Sequence, residues 1–158
     1  MLGICGVGAS ARLYLAPGRP AWNSPLTIAG FWNTTALLGA CGANVLTRGS
    51  MGARYAILCA LVSILTVETI RLVWLARSQV HELRGAWQLL TTVFLNHLIL
   101  RFALSCTCAA LLPFTQLAQV RVAIVLFAIA GEFASRYLFF VSVVPTNMAR
   151  EYLAQEAA

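Results

Sequence analysis

Four long apolar runs constrain this chain more than any other feature of it. Leu26–Leu46, Tyr55–Ala76, Trp87–Leu112 and Leu117–Val144 each reach the roughly 20 residues that a helix needs to cross a bilayer. Charged residues fill only 10% of the 158 positions, against about 25% in soluble domains. So few charges cannot cover a water-facing surface, whereas a bilayer accepts apolar side chains as solvent. The expectation is an all-α, integral membrane helical bundle: one transmembrane domain over residues 1–158, with four full transmembrane helices and a partial N-terminal helix.

Punctuation residues set the expected boundaries. Residues 2–11 are too short to span, and they lack the basic first segment of a signal peptide. Residues 2–14 therefore read as the end of a truncated helix. The segment Pro17-Gly18-Arg19-Pro20-Ala21-Trp22-Asn23-Ser24-Pro25 leads into the first run, with proline suited to a helix start and Trp22 placed as an interfacial aromatic. A turn is expected around Gly49-Ser50-Met51-Gly52. Gly85 and Pro113 bound the third run, and Pro145 ends the fourth. Short connections predict antiparallel neighbours. Small residues at Ala36/Ala40 and Gly39/Ala43 permit close approach along the first helix.

All eleven basic residues are arginine and all five acids are glutamate, for a net charge of +6. The arginines are scattered one or two per loop, which suits anionic lipid headgroups rather than a nucleic-acid partner. Arg12, Arg19, Arg77, Arg84 and Arg150 fall on one side, and Arg48, Arg54 and Arg121 on the other. The positive-inside rule then puts the proline-rich segment and the C-terminus in the cytoplasm. Cys41, Cys59, Cys106 and Cys108 lie within apolar runs, where cysteine packs as a small hydrophobe. Cys106 and Cys108, two apart on a helix, point to nearly opposite faces.

Ionisable groups inside these runs cost roughly 2.5–3.5 kcal/mol each and need partners. The second run carries Glu68 and Arg71, the third Asn96, His97 and Arg101, the fourth Glu132 and Arg136. At about 1.5 Å per residue, Arg101 and Glu132 reach similar depths, as do His97 and Arg136. Glu68 falls near the level of Asn96 and His97. The expectation is a cluster centred on Arg101–Glu132, with His97, Asn96, Glu68 and Arg136 nearby. Such a cluster serves either as inter-helix glue or as a proton path or quinone-head site. Haem ligation by His97 lacks a second axial ligand, because His81 sits at the membrane edge. No nucleophile motif, phosphate-cradling loop or zinc spacing is present, so the chain is expected to serve larger catalytic subunits.

Two segments together resemble a known family. One is Ser10-Ala11-Arg12-Leu13-Tyr14, followed by Arg19 to Thr27 and Gly30-Phe31-Trp32. It is similar to the loop after the fourth helix in membrane anchor subunits of the dimethyl sulfoxide reductase family. The other is Ala130-Gly131-Glu132-Phe133-Ala134-Ser135-Arg136-Tyr137-Leu138-Phe139-Phe140. It looks like the Gly-Glu-x-x-Gly-Arg-x-x-Phe-Tyr signature of that family's last helix, with Ser135 in place of the second glycine. The resemblance covers nearly all of this chain and the C-terminal half of the family's eight-helix subunit.

It implies a multi-pass protein of the bacterial inner (plasma) membrane that holds an iron–sulfur subunit and a molybdopterin catalytic subunit. Electrons would come from menaquinol, with no cofactor bound directly by this chain. Glu132 and Arg136 are carried over as motif positions, Arg12 and Trp22 as loop positions. The family's quinol-site histidine belongs to the half not represented here, and its proline-rich loop usually faces the periplasm, opposite to the arginine count. The alternative expectation is a small transporter or channel subunit with an intramembrane Glu68, Glu132 and Arg101 relay, although neither a broken helix nor an internal repeat is legible.

Overall fold

The computed structural model describes residues 2–15, 19 and 21–142. Among these residues it is all-α, with six α-helices: α1 Leu2–Leu13, α2 Pro25–Leu46, α3 Met51–Arg77, α4 His81–Thr92, α5 Leu95–Leu111 and α6 Ala118–Val141. A 3₁₀ turn, Leu112–Phe114, extends α5. Pro17, Gly18, Pro20, the last two positions of the expected fourth helix, Pro145 and Arg150 lie outside the described residues.

Local chemistry explains the helix starts. Pro25 stands at the first position of α2, and the Ser24 hydroxyl accepts a 3.0 Å hydrogen bond from the Leu26 amide. Ser50 caps α3 in the same way through the Ala53 amide at 3.4 Å. That cap puts the start of α3 at Met51 rather than Tyr55. The turn tightens to Arg48 and Gly49, which have φ of 53° and 87°.

The third expected helix is two helices. After Thr92 the chain breaks at Val93 and Phe94, and Gly85 and His81 prove to lie within α4 rather than before the helix. The physical reason is a change in pattern. In α4, Leu83, Ala86 and Leu90 are buried while His81, Arg84 and Gln88 are exposed, which is a one-sided amphipathic helix. From Leu95 onward the chain is apolar on nearly all sides.

Among the described residues, three helices are long and apolar enough to cross a membrane: Met51–Arg77, Leu95–Phe114 and Ala118–Val141. The sequence reading has four. α2 has the length, 22 residues, but Asn33, Asn44, three threonines and three glycines dilute its apolar character.

Helices α2, α3, α5 and α6 pack in a closed ring, α2 against α3 and α6, and α5 against α6 and α3. α1 flanks α2, and α4 flanks α3. One core joins Leu37 and Cys41 of α2, Ile57, Leu61 and Ile64 of α3, Cys108 of α5 and Ile124 and Ala128 of α6. A second, at the opposite end, joins Leu75, Leu83, Ala86, Leu90 and Leu138. Outside, the usual distribution is inverted: Val62, Ile99, Leu126 and Phe133 are exposed, Phe133 by 73%, while Arg101 and Glu132 are buried. An apolar exterior around buried charge is what a hydrocarbon solvent favours.

Candidate functional site: a buried arginine–glutamate network

Gly131 prepares the centre of the site. A Cβ there would stand 3.1 Å from Arg101 Nη1, so glycine leaves room for the guanidinium against α6. Arg101, 4% exposed, then donates from Nη2 to Glu132 Oε1 at 3.0 Å. Its Nη1 donates to the Ser105 hydroxyl at 2.9 Å, one turn along α5. The second Glu132 oxygen, Oε2, accepts from the Thr34 hydroxyl of α2. Thr34 in turn accepts from Arg136 Nη2 at 3.2 Å. Three helices are thereby tied through one carboxylate.

The fourth wall comes from α3. The Ser135 hydroxyl of α6 donates to Glu68 Oε1 at 3.3 Å. Arg71 rests over the Phe139 ring at 5.2 Å, and Arg136 over the Phe31 ring at 3.8 Å. Glu68, Arg71, Arg101, Glu132, Ser135, Arg136 and Phe139 line a partly open cavity of about 40 Å³ together with Gly30, Asn33 and Thr34. At about 10–15 Å³ per water it holds roughly three. A second small cavity shares Glu68, Arg71, Arg101 and Ser135 and extends toward Leu90, Leu98 and Ser142.

The structure brings Arg101, Glu132, Glu68 and Arg136 together. It does not bring in His97 or Asn96. Both are exposed, and His97 lies against Phe94 and Tyr137, with ring centroids 6.2 and 5.2 Å away. Although His97 and Arg101 are one turn apart, the 40° offset between i and i+4 carries His97 outward once Arg101 points at α6. Thr34 and Asn33, which are not among the expected site residues, belong to the site, as does Ser135, which stands at the motif's second glycine. Counting residues inward from Pro25 places Asn33 and Thr34 at the depth that Glu132 has from Val141, so the signal was present.

The loop positions sit at the same end. Arg12 is exposed. Trp22, expected at an interface, is buried: its Nε1 donates to the Phe139 carbonyl at 3.0 Å, and its ring stacks on Phe139 at 5.1 Å. Tyr14 packs edge-on against Trp22, Phe139 and Phe140 and stacks on Phe31. The indole N–H is thereby satisfied by backbone, as a tryptophan buried against other side chains requires. Arg19 lies over the Trp22 ring at 4.2 Å.

No known family, characterised protein or solved structure matches this chain. Its own geometry therefore carries the functional reading. Among the described residues no group of His, Cys, Asp or Glu side chains is arranged to hold a metal ion. Cys41 and Cys108 are free thiols buried in the same core; Cys5, Cys59 and Cys106 are exposed.

Proposed function

We propose that this chain is a membrane anchor subunit of a molybdopterin-containing oxidoreductase of the dimethyl sulfoxide reductase type. It would tether the iron–sulfur and catalytic subunits and help to pass electrons from menaquinol. In this reading α2 joins α3, α5 and α6 as a fourth span of about 33 Å, and the protein is multi-pass in the bacterial plasma membrane.

One observation carries the proposal. The two segments that resemble the family lie more than a hundred residues apart, yet they meet: Trp22 hydrogen-bonds and stacks on Phe139, and Tyr14 packs against Phe140. The motif residues Glu132 and Arg136 then form the inner wall directly beneath this aromatic layer. Segments that act together in a function have reason to be in contact, whereas a coincidental sequence match has none.

The site fits proton handling rather than quinol capture within this chain alone. A cavity for about three waters does not admit a quinone ring. Glu132 and Glu68, on the cavity wall, would lie on the path of protons released by a quinol bound where this chain meets a partner. Iron–sulfur clusters and molybdopterin would supply electron storage and oxygen-atom chemistry from the partner subunits. The scattered cysteines of this chain do not form a cluster-binding set.

A small transporter or channel subunit is the second reading, and the break at Val93–Phe94 is the observation that favours it, since transporters use interrupted helices. Exposed His81, Arg84 and Gln88 on α4 favour a position at the bilayer edge for that helix, outside the spans, which weakens this alternative.

Gentle detergent extraction from native membranes, followed by metal analysis, tests the proposal. Iron and molybdenum should accompany the chain, and menaquinol should reduce the complex. A chain that purifies without redox partners, and moves protons or ions when reconstituted alone, would support the transporter.

A further inference from the structure

The charges around the 40 Å³ cavity do not balance. Arg71, Arg101 and Arg136 face only Glu68 and Glu132, three guanidiniums against two carboxylates. Among the described residues, Arg101–Glu132 is the one ion pair within 4 Å. Arg71 and Arg136, both partly exposed, lie instead over the rings of Phe139 and Phe31, which keeps them at the cavity wall. Donors are in excess as well. Arg101 Nε and Asn33 Nδ2 are buried without an acceptor, and Arg101 as a whole is 4% exposed. An excess positive charge and two orphaned donors are costly to leave unmet, and one acceptor-only negative group relieves them together.

We propose that this cavity binds one small monovalent anion of the halide class. Its charge matches the single excess positive charge, and a space for about three waters admits one such ion together with water. Arg71 and Arg136 would provide the attraction, while Arg101 Nε and Asn33 Nδ2 would provide directed hydrogen bonds. The carboxylates set the selectivity: a second negative charge in the cavity would stand against both Glu68 and Glu132, so divalent anions are rejected. The site stands independently of the anchor function, because it follows from the charges and the volume alone.

Radiolabelled chloride is the probe, with the purified full chain in detergent, gluconate as the inert counter-ion and scintillation proximity as the readout. Saturable binding of one chloride per chain is expected. Arg136→Gln and Arg71→Gln should each weaken it by about tenfold. Glu68→Gln should tighten it, since that change removes a repelling charge without removing a donor to the anion. The opposite signs separate a true site from loss of folding, which would weaken binding in every variant. Absence of saturable binding, or a weaker Glu68→Gln variant, overturns the proposal. Chloride binding that appears only after acidic phospholipid is stripped away would assign the site to a lipid phosphate, and would overturn the halide assignment too.

Discussion

Glu132 and Arg136 sit one turn apart on α6 but do not pair with each other; they share Thr34. Its hydroxyl accepts from Arg136 Nη2 and donates to Glu132 Oε2, joining α2 to α6 through a single side chain. Replacing the hydroxyl by a methyl in Thr34→Val keeps the volume and strands both partners. The expected loss is about 1–3 kcal/mol of stability in detergent unfolding, with Thr34→Ser close to wild type. A neutral Thr34→Val would show that the bridge contributes nothing.

The Arg101–Glu132 pair calls for a double-mutant cycle. Arg101→Gln alone leaves a buried carboxylate with only Thr34 to satisfy it, and should cost about 3–5 kcal/mol. Adding Glu132→Gln removes the stranded charge and should recover most of that loss. Additive losses would mean that the two side chains act separately.

Depth along a helix is legible from residue counts alone, because the rise per residue is constant; this is why Arg101 and Glu132 stand out as partners in the sequence. Facing was harder. Whether His97 or Arg101 turns inward depends on which neighbour offers a partner, and Gly131, which makes the room for Arg101, reads in sequence as one more small residue. The break at Val93–Phe94 carries no proline or glycine. It arises because α4 is amphipathic and buries Leu83, Ala86 and Leu90 against α3 and α6, a tertiary preference that the continuous apolar run conceals. Thr34 is hard to single out in sequence because threonines in apolar helices commonly bond back to their own backbone, as Thr35, Thr66 and Thr69 do here and as Thr34 also does, to the Gly30 carbonyl at 3.0 Å.

The exposed position of His97 has a direct consequence. His97→Ala removes contacts with Phe94 and Tyr137 but touches none of the charged network. Stability should change by no more than about 0.5 kcal/mol, and the proposed chloride binding and, if the chain anchors a redox complex, its electron transfer should be unaltered. A substantial loss of electron transfer would restore His97 to the site.

Gly49 is expected to be the most sensitive glycine. Its φ is +87°, and a Cβ would lie 2.7 Å from the Thr115 carbonyl oxygen in the neighbouring turn. Gly49→Ala therefore combines backbone strain with a clash against main chain, at a cost of about 2–3 kcal/mol. Gly52→Ala, three residues on with open space around it, serves as the control and should be neutral or slightly stabilising.

Footprinting with a lipid-borne carbene reagent in native membranes, read by mass spectrometry, tests most directly whether hydrocarbon surrounds this bundle. Val62, Ile99, Leu126 and Phe133 should be labelled, with Leu38 and Val45 marking α2 as a fourth span, while Leu37, Ile57 and Ile124 stay unmodified. If a water-soluble carbene labels Val62 and Phe133 while the lipid-borne one leaves them untouched, the helices lie in water and the membrane assignment is wrong.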